Sequence, residues 1–111
     1  MDFNSIGYFQ FNNLLQSRIP LLLIVLDDID LKPWFNSMVK MHLENITVFC
    51  DQDRVVEIVK EKKVPTNFGI VVIDQDGKKT PPLIQQLETM GFTNAYYVKD
   101  GFAGVSIERQ S

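Results

Sequence analysis

The segment Asp74-Gln75-Asp76-Gly77-Lys78-Lys79-Thr80 follows directly on the apolar run Ile70-Val71-Val72-Ile73. Paired carboxylates two positions apart suit a divalent cation or a carboxylate nucleophile, while a glycine, two cations and a hydroxyl suit a loop whose amides cradle an anion. Other polar residues also stand just after apolar runs: Asp27 and Asp28, Cys50 and Asp51, Lys99 and Asp100. Aspartates in such places equally cap helices and start turns. The single cysteine, Cys50, has no second thiol for an intramolecular disulfide, and with the single histidine, His42, it makes no zinc site. Gly77 comes two positions too early for a calcium-binding EF-hand loop that begins at Asp74. A phosphate-binding P-loop ending at Gly77 needs a glycine where Val72 stands.

The elements that must position these residues are legible as alternating patterns. Runs rich in β-branched and aromatic residues predict strands at Leu21–Leu26, Ile46–Phe49, Ile70–Ile73 and Ala95–Val98, and helical spacing predicts helices at Phe11–Gln16, Trp34–Met41, Arg54–Lys62 and Pro81–Met90. Strands alternating with helices imply an α/β domain with a mainly parallel sheet flanked by helices on both faces. In the helix after the Asp74 segment, Thr80 is placed to cap, Pro81 suits a first turn that needs no donor there, and Gly91 suits the left-handed residue that ends it. Leu83, Ile84 and Leu87 form its apolar stripe. In such sheets ligands bind beyond the carboxyl ends of the strands, where Asp27, Cys50, Asp74 and Lys99 all fall.

Residues 1–111 read as one domain, too short for two independent cores. Apolar residues make up 45% and charged residues 23%, a globular balance rather than a disordered one. A net charge of −3 argues against nucleic acid or an anionic membrane as the main partner, and it makes the aromatic set Phe9, Phe11, Trp34, Phe35 and Phe49 a core rather than a base-stacking platform. The longest apolar run, Ile19–Leu26, is far too short to span a bilayer. With no basic region ahead of the apolar residues in MDFNSIGYF, cytoplasmic residence is the expectation.

From Ile70 to Phe102 the chain resembles the C-terminal half of a rhodanese domain. That family has a strand, a catalytic loop patterned Cys-x-x-Gly-x-Arg-Ser/Thr, a helix, a Gly-Phe-x-Asn-Val-Tyr strand entry and a Gly-Gly-Phe turn. Without a gap, Asp74 falls at the cysteine, Gly77 at the glycine, Lys79 at the arginine and Thr80 at the hydroxyl, and Gly91-Phe-Thr-Asn-Ala-Tyr96 and Asp100-Gly-Phe102 follow. The earlier half is similar more loosely, with Asp27 where the family has Asp-x-Arg and Met41-His42-Leu43 near its Gly-His-Ile. The resemblance implies a rhodanese-like fold, and its departures imply lost sulfur transfer. A carboxylate cannot carry sulfur as a persulfide, Asp76 adds a second negative charge, Ile29 replaces the arginine of Asp-x-Arg, and Val105 replaces the usual tryptophan. The loop amides between Gln75 and Thr80 are expected to converge on Asp74 as an internal anion. Cys50, followed by Arg54, has Cys-x3-Arg spacing, shorter than the Cys-x5-Arg loop of related phosphatases and without a glycine, so it reads as a small half-buried residue.

The expected function is therefore that of a non-catalytic binding or regulatory module with an unidentified protein partner and no cofactor. The residues of interest are the degenerate loop Asp74, Gln75, Asp76, Gly77, Lys78, Lys79 and Thr80. An alternative stays open, because Asp74-x-Asp76-Gly77 resembles the nucleophile motif of haloacid-dehalogenase-type phosphatases, and Asp27, Asp28, Asp74 and Lys99 resemble a response-regulator receiver. Either reading implies a carboxylate enzyme or phosphoacceptor with a divalent metal at Asp27, Asp28, Asp74 and Asp76. Against them, Lys78 replaces the threonine of the first motif, and only one helix fits between Asp74 and the Ala95 strand where a receiver has more.

Overall fold

Two four-residue runs that are apolar at every position, Leu22–Val25 (β2) and Ile70–Ile73 (β4), lie side by side as buried strands in the computed structural model. The structure describes residues 4–17, 20–27, 29, 31 and 37–110. Around these two strands the chain runs β1 (Ser5–Ile6), α1 (Tyr8–Gln16), β2, α2 (Ser37–Ile46), β3 (Thr47–Phe49), a 3-10 turn (Gln52–Arg54), α3 (Val55–Glu61), β4, α4 (Thr80–Thr89), β5 (Ala95–Val98) and α5 (Gly101–Gln110). The strands form one sheet in the order β1-β5-β4-β2-β3, and every pair is parallel. This is the expected α/β architecture.

Alternation along the strands divides the core in two. Leu23, Val25, Val71 and Ile73 face the layer that holds Phe11 and Leu15 of α1, Val39 and Leu43 of α2, and Val105 of α5. Leu22, Ile24, Ile70 and Val72 face Val55 and Val59 of α3 and Leu83, Ile84 and Leu87 of α4. All four β4 side chains are at most 2% exposed. Burying four such residues is worth about 6–12 kcal/mol, as much as the net stability of a whole domain. The loop that β4 launches therefore starts from the most firmly anchored strand.

Several expectations are corrected. Ile46 closes α2 rather than opening β3, and the predicted helix from Trp34 runs on to Ile46 because Leu43 continues the buried stripe begun at Val39. Trp34, Phe35 and the helix start predicted there lie outside the described residues, as does Asp28. Phe9 and Phe49, expected in the core, are 69% and 59% exposed. β1 and α5 were not predicted. At the end of α4, Gly91 has the expected positive φ of 99°, and the Gly91 and Phe92 amides bond back to the Glu88 and Leu87 carbonyls at 2.9 and 3.1 Å. That is the Schellman pattern, which satisfies the last carbonyls of the helix.

Candidate functional site

Central β4 delivers Asp74 to the carboxyl end of the sheet, with Asp27 after β2 on one side and Asp100 after β5 on the other. Asp74 is fully buried. Its Oδ1 accepts the Gly77 amide at 2.7 Å and its Oδ2 accepts the Lys79 amide at 2.9 Å. Charge-assisted bonds of this length are the strong kind. The loop thus folds around the side chain of its own first residue.

α5 closes the loop from the far side. Its Phe102 and Ala103 amides donate to the Asp74 and Gln75 carbonyls at 2.7 and 2.9 Å. Gly101 has φ 60°, and a Cβ built there would lie 2.3 Å from the Asp74 carbonyl oxygen and 2.8 Å from its Oδ1. Glycine is required at this junction, and its small size brings the positive end of α5 against the buried carboxylate. Gly77 has φ 82° and a similar limit, since a Cβ there would lie 2.9 Å from the Asp100 amide nitrogen. Loop and α5 start are therefore fitted backbone to backbone.

Asp27 holds the third side. One of its oxygens pairs with the Lys79 ammonium, and the other accepts the Gln75 amide at 3.1 Å. The bond from Lys79 holds the Asp27 carboxyl below its usual value, against burial and with help from the Gln75 amide. The same bond raises Lys79. Asp76 accepts the amide of Lys78 at 3.1 Å. In the first turn of α4, Pro81 and Pro82 carry no N–H, so this helix start has lost two of the donors that would hold an anion. Thr80 does not cap. It is the first helical residue, Lys79 is the cap, and the buried Thr80 Oγ1 has no hydrogen-bond partner among the described residues.

Of the residues proposed as a metal set, Asp27, Asp74 and Asp76 all belong to this loop and its brace, each with an amide donor, and Asp28 lies outside the described residues. Among the described residues no three His, Cys, Asp or Glu side chains are grouped so as to hold a metal ion. Cys50 lies apart, beyond β3. It lines an open cleft of about 580 Å³ together with Asp27, Phe49, Asp51, Gln52 and Lys79. Burial pushes its thiol up, with Arg54 opposing, the opposite of what an activated nucleophile needs. Sequence reasoning missed both the Asp27–Lys79 brace and the α5 clamp. The brace links two positions each singled out alone, and the signal for the clamp was the Asp100-Gly101 turn.

No family model and no curated protein matches this chain. Solved structures do. Thiosulfate sulfurtransferase from Pseudomonas aeruginosa superposes with a TM-score of 0.64 at 15% identity over 96% of this chain, which spans 19% of that much longer protein. A rhodanese-like domain protein from Staphylococcus aureus gives 0.65 at 15% identity, covering 95% of this chain and 91% of the other. The chain has the rhodanese-like fold. A rhodanese-like domain from Anabaena is similar to the same degree, with a TM-score of 0.65 at 14% identity over 95% of this chain and 74% of that one. At such identities the likeness speaks for the fold alone, and the chemistry must be argued from the loop.

Proposed function

We propose that this chain is a non-catalytic rhodanese-like domain, a single unit over residues 1–111, that serves as a binding or regulatory module. The observation that carries the reading is Asp74. In the register of the rhodanese resemblance it takes the place of the sulfur-carrying thiol, and both of its carboxylate oxygens accept loop amides. A group so placed neither attacks a sulfane sulfur nor leaves the amides free to stabilise one. The sulfur position is filled by a side chain of the loop itself.

The carboxylate-enzyme alternative needs an Asp74 oxygen open to a metal or a phosphoryl group. Full burial and two amide donors weigh against it, and neither intact-mass measurement with a small phosphodonor nor magnesium titration is expected to register an adduct or a bound ion. The decisive test is sulfur transfer from thiosulfate to cyanide, expected at the rate of buffer alone. A persulfide trapped on Cys50 during turnover would overturn the reading. No described helix is long and apolar enough to cross a membrane, and the partner we infer is a protein.

A further inference from the structure

Between β5 and α5 the chain turns through two residues with left-handed backbone, Asp100 and Gly101, each at φ 60°. Gly101 takes that conformation freely, whereas Asp100 carries a Cβ and takes it at a cost. Around this turn three glycines bring backbone against backbone. A Cβ would lie 2.9 Å from the Asp100 amide nitrogen at Gly77, 2.3 Å from the Asp74 carbonyl oxygen at Gly101, and 2.8 Å from the Lys99 carbonyl oxygen at Gly104. The Phe102 and Ala103 amides fasten the helix to the Asp74 and Gln75 carbonyls, and the Gly104 amide bonds back across the turn to the Asp100 carbonyl at 3.1 Å.

We propose that α5 is a strap that lifts off the domain as a unit by turning at Asp100 and Gly101, and that the Asp74 loop is its catch, so that loop and helix open together. Contacts between backbones have no flexible side chain to take up slack, and a fit of this kind is either seated or lost. The strained turn stands where the hinge must be, and release relieves Asp100. The helix has little of its own to keep it formed. Its ten residues fall short of the roughly 12–15 at which a helix becomes stable alone in water, and Gly101 and Gly104 weaken it further. Its order is therefore tied to the surface on which it is seated.

The coupling runs through one residue. Asp74 gives its carbonyl to the Phe102 amide and its carboxylate to the Gly77 and Lys79 amides, so the residue that shapes the loop also anchors the helix. Gly77 lies against the Asp100 backbone and closes the circle. Lifting α5 removes the wall against which Asp74 and Gly77 are set. It also uncovers part of the core layer that Phe102 and Val105 share with Ile6, Phe11 and Val98. The domain thus has two surfaces, one with α5 seated and one with α5 lifted, whatever the chemistry of the loop.

The test is native-state amide hydrogen exchange of the full chain, followed by NMR at neutral pH and in low urea. The Gly77, Lys79, Phe102 and Ala103 amides are expected to exchange through one shared opening. Their protection should agree within about tenfold, lie at least about a hundredfold below that of Val71 and Val72 in β4, and fall less steeply with urea. A smaller gap to β4 overturns the proposal, because α5 then leaves only when the whole domain unfolds. Loop and helix amides that differ by more than about tenfold overturn it as well. In Gly101→Ala the methyl has no room against the Asp74 carbonyl. That variant is expected to leave all four amides unprotected while Val71 and Val72 stay protected. A Gly101→Ala chain that keeps the Gly77 and Lys79 amides protected, or that unfolds altogether, contradicts a loop and helix that open together on a domain able to stand without them. The wild-type exchange decides independently of the variant.

Discussion

Replacing Asp74 by asparagine tests whether its charge is satisfied or strained. The substitution keeps size and shape and changes one acceptor oxygen into an NH2 donor. Whichever way the carboxamide turns, either the Gly77 or the Lys79 amide, now 2.7 and 2.9 Å from carboxylate oxygens, loses its acceptor and faces a donor. A hydrogen bond to a charged group is worth about 1.5–3 kcal/mol, and the surviving bond to a neutral oxygen is weaker by roughly half of that. The sum is about 2–4 kcal/mol of lost stability. Relief from burying a charge opposes it, but the start of α5 and the Lys79 ammonium already lie close to that charge. For a domain of this size about 1 kcal/mol corresponds to roughly 4–8 °C in Tm, so the variant should melt at least about 8 °C lower and remain folded at room temperature. Urea unfolding at pH 7 followed by circular dichroism, with an unchanged slope, measures the difference. An Asp74→Asn chain as stable as wild type, or more stable, would refute the reasoning and make the loop a strained site built for a ligand.

The Asp27 brace gives a pH signature. Its carboxyl is held below the usual 3.8 by Lys79, so the ionised pair contributes stability above the unfolded value that is lost as pH falls through the lower folded one. Asp27→Asn should lower stability at pH 7 by less than Asp74→Asn does, as befits a partly exposed pair, and the gap to wild type should close once the pH drops well below 3.8. A gap that persists at acid pH rules out the ion pair as its cause. Thr80→Val replaces a buried hydroxyl that has no partner among the described residues by a methyl of equal size, and is expected to raise stability by about 1 kcal/mol. A loss of similar size would mean that the hydroxyl is hydrogen-bonded in solution.

Where the pattern was regular the fold was legible. β2 and β4 are apolar at every position because helices cover both faces, and α4 carries its stripe, its prolines and its terminal glycine in the expected order. Short or weakly patterned elements were not. β1 has two residues, too few for any periodicity, and is held by pairing with β5. α5 opens with Gly101 and carries Gly104, poor helix formers, and it forms where its first amides find the carbonyls of Asp74 and Gln75. Phe49 was misplaced for a tertiary reason, since an apolar residue in a strand is a core residue only if the strand is not an edge. The shift of the α4 cap from Thr80 to Lys79 has a local cause. The Lys79 amide is drawn to Asp74, and the helix therefore begins one residue early.

What distinguishes this loop is the fate of its donors. An anion-binding cradle works because its amides are unclaimed until the ligand arrives. Here the Gly77 and Lys79 amides go to Asp74, the Lys78 amide to Asp76, the Gln75 amide to Asp27, the Phe102 and Ala103 amides to loop carbonyls, and the Lys79 ammonium to Asp27. Two further positions that could donate are prolines. An incoming anion would have to displace the two charge-assisted bonds to Asp74, about 3–6 kcal/mol, which is a penalty of roughly a hundredfold to ten-thousandfold in affinity. It would then meet the displaced carboxylate itself. Binding by this domain is accordingly to be sought on surfaces whose groups are free, and not at this loop.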